Sequence, residues 1–281
     1  MASERASRRA FLCVSALLFA ASAVVTIVWS AAMSGMGGLQ MPGGWTMSMA
    51  WMRMPGQTWP GAAASFLCMW VVMMVAMMLP SLVPMLWRYR QTVGGRGETR
   101  LGPLTARVGV AYFFVWIALG MAVFPLGIAL AAVEMQLPAL ARAVPLAVGV
   151  VVLIAGALQF TSWKAHHLAC CRESSGCGRA PGRGLTTGLG RTTGRGNTMP
   201  ADAGTAWRHG LRLGLHCSYC CAGLTAILLV IGVMDLRVMA VVTAANTVER
   251  LAPAGERVAR AIGVVVVGAG LLLIARAAGL G

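Results

Sequence analysis

Two short stretches hold most of the side chains able to do chemistry: HHLACC, from His166 to Cys171, and HCSYCC, from His216 to Cys221. In the first, His166 and Cys170 are four residues apart, as are His167 and Cys171, so on a helix each pair shares a face. In the second, Cys217 and Cys220 form a CxxC, Cys217 and Cys221 are again four apart, and His216 lies one turn from Cys220. Thiolates and imidazoles so spaced suit soft or borderline ions, Cu(I) or Zn(II), and after them an iron–sulfur centre. A lone CxxC is weak. Two Cys/His clusters flanking one Gly/Arg-rich segment, with both its ends on the same side of a membrane, make a stronger signal.

Thirteen of the 19 methionines fall between Met33 and Met85. The stretch MSGMGGLQMPGGWTMSMAWMRMPG pairs Met47 with Met49 and Met52 with Met54. Thioethers bind Cu(I) without losing a proton and cannot form disulfides, which suits an oxidising outer face. Trp45, Trp51 and Trp59 either anchor at an interface or lie over a bound cation. Met69, Met73 and Met77 then recur every fourth residue with Met74 and Met78 beside them, a stripe along one helix. Methionine also fills flexible cores, and packing alone accounts for that stripe equally well. Anionic thiolates inside would bind Cu(I) more tightly than thioethers outside, giving an affinity gradient directed inward.

The scaffold implied is membranous. The chain has 281 residues, 58% of them hydrophobic and 11% charged, with a mean hydropathy of +0.75. A soluble domain carries about a quarter charged residues, and runs of roughly 20 apolar residues are long enough to span a bilayer. We expect an all-α integral membrane protein, one domain over 1–281, with about seven transmembrane helices and a cytoplasmic N-terminus. The expected helices cover Phe11–Met33, Ala62–Trp87, Ala106–Val133, Ala143–Trp163, Leu213–Val233, a short sixth ending near Glu249 and Arg250, and Val258–Ala275. SRRAFL resembles an export signal, but we read an uncleaved first helix. Residues 33–60 form an outer Met-rich segment and 172–212 a flexible basic loop inside.

A net charge of +15 raises the question of nucleic acid. Its distribution answers otherwise: of 23 Lys and Arg, only Arg53, Arg142, Arg237 and Arg276 fall outside under this topology, as the positive-inside rule describes. Membrane lipids are the partner this implies. Six of the eight cysteines then lie in a reducing compartment, which favours metal or redox chemistry over structural disulfides. Cys13 and Cys68 sit alone on apolar helices and read as packing; Glu249 and Arg250 read as an interfacial charge pair. No nucleotide loop, Ser/His/Asp arrangement or paired intramembrane carboxylates are present, so we expect no enzyme.

The chain resembles a bacterial family of predicted metal-binding integral membrane proteins often labelled copper chaperones. MPGGWTMSMAWMRMPG with WVVMMVAMMLPSLVP (Met41 to Pro84), GLHCSYCCAGL (Gly214 to Leu224) and VMDLRVMAVVTAANTVERLAP (Val233 to Pro253) carry the resemblance, with YFFVW at Tyr112 to Trp116. Many members have Trp where Ala222 stands, and HG where Leu213 and Gly214 stand. The resemblance implies a multi-pass protein of the bacterial inner membrane that handles metal.

The sequence thus supports a Cu(I)-binding, chaperone or transfer protein. Its inner ligands would come from Cys170, Cys171, Cys217, Cys220 and Cys221, with His166, His167 and His216 as auxiliaries. Its outer and intramembrane ligands would be Met47, Met49, Met52, Met54, Met73 and Met77, and its partner a cuproprotein or a soluble copper carrier. Two alternatives stand: a membrane thiol-disulfide oxidoreductase using Cys217 and Cys220, and an assembly partner stabilised by zinc.

Overall fold

Apolar on nearly every side, the helix α2 (Trp59–Gly94) has to be enclosed by its neighbours, and it is by far the most buried of the long helices. The computed structural model describes residues 2–35, 37–42, 44–48, 51–53, 56–94, 100–172 and 202–279. Within them, α1 (Ala2–Gly35) precedes α2, followed by α3 (Leu101–Gln136), α4 (Pro138–Leu158) and α5 (Ser162–Arg172). After residues 173–201 come α6 (Ala203–Ile231), α7 (Leu236–Leu251) and α8 (Gly255–Ala277). Six of these eight, all but α5 and α7, are long and apolar enough to cross a membrane.

All-α is therefore right in the main, with two corrections. The Met-rich segment contains a small antiparallel hairpin, β1 (Leu39–Met41) and β2 (Trp45–Met47), in which Met41 faces Trp45 and Leu39 faces Met47. Gly44 turns the chain at φ +78°, a conformation cheap only for glycine. The second correction concerns the expected loop over 172–212. Residues 203–212 are helical, because Asp202 caps α6 by accepting from Gly204 N at 3.2 Å. The cysteines of α6 consequently sit in mid-helix, fourteen residues past its start, and not at the end of an apolar run. Residues 173–201 of that loop lie outside the described residues.

One end of the bundle collects arginines. Arg90 Nη2 on α2 donates to Ser7 Oγ on α1 at 2.9 Å, Arg8 lies over Trp87, and Tyr89 stacks on His209 of α6 at 5.3 Å. The hairpin covers the opposite end, where Trp45 Nε1 donates to Ala141 O on α4 at 2.8 Å.

Glycines set how closely the helices approach. Gly210 and Gly214, four apart on one face of α6, lie directly on α3; a Cβ added there would fall 2.4 Å from Val108 O and 2.9 Å from Tyr112 O. This small-residue spacing brings apolar helices into backbone contact. The same device joins α4 to α8, with Gly156 against Val267 and Gly270 against Leu153. The outward faces of α1, α3, α4 and α8 expose Leu17, Val28, Leu126, Ile154 and Val265 among others, an apolar surface compatible with a membrane setting.

The helix α7, expected as a short sixth span, has 16 residues, about 24 Å at 1.5 Å per residue. Asp235 caps its start, accepting from Arg237 N and Val238 N. Its far end stops inside the bundle, beside α2 and α6, and there it delivers two charges.

Candidate metal centre

Four thiols meet where α5, α6 and α7 converge. Cys171 comes from α5; Cys217, Cys220 and Cys221 come from α6, where a spacing of three or four residues puts them on one face. All four are buried, each at most 2% exposed. They adjoin one another in the order Cys171, Cys220, Cys221, Cys217, close enough for each to perturb the next. The adjoining Cys220 side chain, and then burial, hold the Cys171 thiol well above its ordinary pKa. Its place on α5, which begins four residues after α4 ends, sets the first sequence cluster beside the second.

The surroundings of these thiols are charged, and the sequence reading missed this. Arg250 Nη2, from the last turn of α7, donates to Cys217 Sγ and to Cys221 Sγ at 2.8 Å each, and to Cys217 O at 3.3 Å. Its Nη1 donates to Ser81 Oγ of α2 at 2.9 Å. Glu249 does not pair with Arg250. It accepts from Lys164 Nζ of α5 at 2.7 Å, and Lys164 also donates to Cys220 O at 2.7 Å. Burial works against the charge on Lys164, but Cys220 and Glu249 outweigh it and carry the ammonium pKa above its ordinary value. The expected interfacial pair is thus two buried charges on separate errands. The missed signal lay in composition: Lys164 is the only lysine in the chain, six residues before Cys170 of the double-Cys turn of α5.

Tyr112 Oη of α3 lies 2.7 Å from Cys217 Sγ, and Met78 Sδ of α2 lies 4.0 Å from the same sulfur. Toward a thiolate, the phenol is the donor. Both neighbours are fully enclosed.

The imidazoles form a separate rim. His167 Nδ1 lies 3.3 Å from His216 Nδ1, and His166 Nε2 lies 3.6 Å from Cys170 Sγ. His167 packs edge-on to Trp163 and against Tyr219. Burial, then the proximity of His216 and His166, lowers its pKa, keeping it neutral as a metal ligand must be. Cys170 is held in a disulfide and leaves the set of thiolate donors. Among the described residues no three His, Cys, Asp or Glu side chains are arranged to close on one ion. The thiol row is compact, but Cys217 and Cys221 pair with Arg250.

The methionines divide. Met47 is 2% exposed and packs with Met41, Ala131 and Ala141 under the hairpin, so it is a core residue and not an open ligand. Met49 and Met54 lie outside the described residues. Met52 lines a cavity of about 250 Å³ with Met33, Trp51, Arg53, Trp59 and Met69. From Met69 the stripe continues through Met73 and Met77, with Met74 and Met78, all buried on α2. Nine residues of helix separate Met69 from Met78, about 14 Å, and Met78 ends the stripe against Cys217.

No curated protein and no solved structure shows detectable similarity to this chain. A family model described as copper chaperone (PpoB2) matches residues 67–273, taking in the methionine stripe, both cysteine clusters and Arg250. That is most of the chain, which therefore belongs to this copper chaperone family.

Proposed function

We propose that the protein is a multi-pass carrier of the bacterial inner membrane that receives Cu(I) at the hairpin end and holds it at the buried thiols. The observation that carries this reading is the junction of the two sulfur sets. The thioether stripe leads from an open cavity to Met78, and Met78 touches Cys217 at 4.0 Å. A soft ion can move along α2 by exchange between neighbouring thioethers and finish on thiolates, which bind it more tightly. In this reading Cys217 and Cys221 hold the ion, with Cys220 and Cys171 beside them, and His167 and His216 on the rim are placed to take part in release. The arginine-rich end faces the cytoplasm under the positive-inside rule, where a soluble carrier or a cuproprotein would collect the ion. No covalent chemistry is required, so we read a carrier and not an enzyme.

Metal content of the detergent-purified protein, reduced and loaded with Cu(I), tests this reading. Stoichiometric copper is expected in the wild type and none in the C217S/C220S/C221S variant. Zinc in place of copper would favour the assembly partner. No metal together with a titratable disulfide would favour the oxidoreductase. A second prediction concerns the stripe. Replacing Met73, Met77 and Met78 together with Leu keeps volume and apolarity, at a cost of under about 1.5 kcal/mol per site. Equilibrium copper content should stay near that of the wild type, while loading of reconstituted vesicles from the hairpin side should slow by an order of magnitude or more. Unchanged loading would leave the stripe a packing feature.

A further inference from the structure

Arg250 is 4% exposed and every neighbour it hydrogen-bonds is uncharged when protonated: Ser81 Oγ, Cys217 O, Cys217 Sγ and Cys221 Sγ. Among the described residues its Nε finds no partner. The nearby Lys164 and Glu249 form a 2.7 Å pair and cancel one another. A guanidinium stays protonated in proteins, and a buried charge without a counter-charge is strongly unfavourable. The sulfur pair that Nη2 faces therefore has to carry one negative charge.

Two thiolates and a monovalent ion carry a charge of minus one. Two thiolates and a divalent ion carry none. Held between Cys217 and Cys221, the first assembly neutralises Arg250 and the second leaves it bare. A divalent ion would restore neutrality only by recruiting a third thiolate, and among the described residues no three such ligands converge on one point. Nη2 reaches both sulfurs at equal distance, so it faces the pair and not either thiol alone.

We propose that Arg250 selects the charge of the bound ion, making the Cys217/Cys221 pair a receptor for soft monovalent cations over equally soft divalent ones. The proposal rests on the copper-handling reading above. Arg250 acts through the thiolates and touches no metal, so it is a specificity residue and not a ligand.

Ag(I) and Cd(II) provide the test, since both are thiophilic and redox-inert and differ in charge. Competition binding is measured on the full-length protein in detergent for the wild type, R250K, R250Q and C217S/C221S. The wild type should prefer Ag(I), and R250K, which keeps the positive charge, should retain that preference. R250Q should lose about 30-fold of it, the lower end of the effect of removing one member of a buried hydrogen-bonded charge pair. An unchanged Ag(I)-to-Cd(II) ratio in R250Q overturns the proposal. If R250Q does not elute as a folded species, the wild type and R250K decide: Cd(II) bound as tightly as Ag(I) by the wild type, or lost preference in folded R250K, overturns it. The C217S/C221S arm tests the underlying reading separately, because Ag(I) binding that survives there places the ion elsewhere whatever Arg250 does.

Discussion

Glutamine in place of Glu249 is expected to destabilise the protein by about 3–5 kcal/mol, the usual cost of breaking a buried ion pair from one side. Lys164 and Glu249 are 4% and 1% exposed, so no water replaces the lost carboxylate. The ammonium would keep the Cys220 carbonyl at 2.7 Å and a neutral amide oxygen, but no counter-charge. Since this pair ties α5 to α7, Cys171 should also become accessible to thiol reagents. Removing both charges, as K164M/E249Q, should recover most of the loss, because what destabilises is the uncompensated ion and not the absence of the pair. Thermal unfolding in detergent reads both variants. A single variant that melts with the wild type would mean that the pair is hydrated and structurally idle.

The second large effect is steric. Valine at Gly210 would drive a Cβ to 2.4 Å from Val108 O and 2.7 Å from Ala111 Cβ, both fixed parts of α3. The helices have to separate, at a cost of about 3 kcal/mol or more, the upper part of the range for overpacking. Separation pulls Tyr112 from Cys217, now 2.7 Å apart, so copper retention should fall with stability. Gly109 on α3 is the control: nothing lies within 4 Å of an added Cβ, and G109V should fold and bind copper as the wild type does. Metal content and elution profile of the two variants side by side separate a packing effect from a general intolerance of substitution.

Much of this architecture was legible from hydropathy. The six long apolar helices correspond to expected spans, and the two cysteine clusters do converge. What escaped were features whose local signal was ambiguous. WRHGLRLG, at Trp207 to Gly214, reads as a basic glycine-rich loop, yet its glycines are four apart and its arginines face away from α3. LQMPGGWTM alternates only over a few residues on each side of a turn, too briefly to distinguish a hairpin from an irregular segment. The site itself was half visible. Thiols announce themselves by type, whereas Arg250 looked like an ordinary helix-end charge because its burial depends on α7 stopping short inside the bundle. Met47 misled in the opposite direction. An MxM pair suggests open ligands, but hairpin register turns one member onto Ala131 and Ala141.

The half-length of α7 also bears on how the protein is made. A segment of 16 residues with a glutamate and an arginine in its last turn is a poor candidate for insertion into a bilayer by itself, since it falls short of the roughly 20 apolar residues a span needs. Every polar partner it needs precedes it in the chain: Ser81, Lys164, Cys217 and Cys221. When α7 leaves the ribosome these groups have already been synthesised, and the late helix enters a slot whose charges await it. A chain truncated before α7 would instead leave Lys164 with the Cys220 carbonyl and without the Glu249 counter-charge.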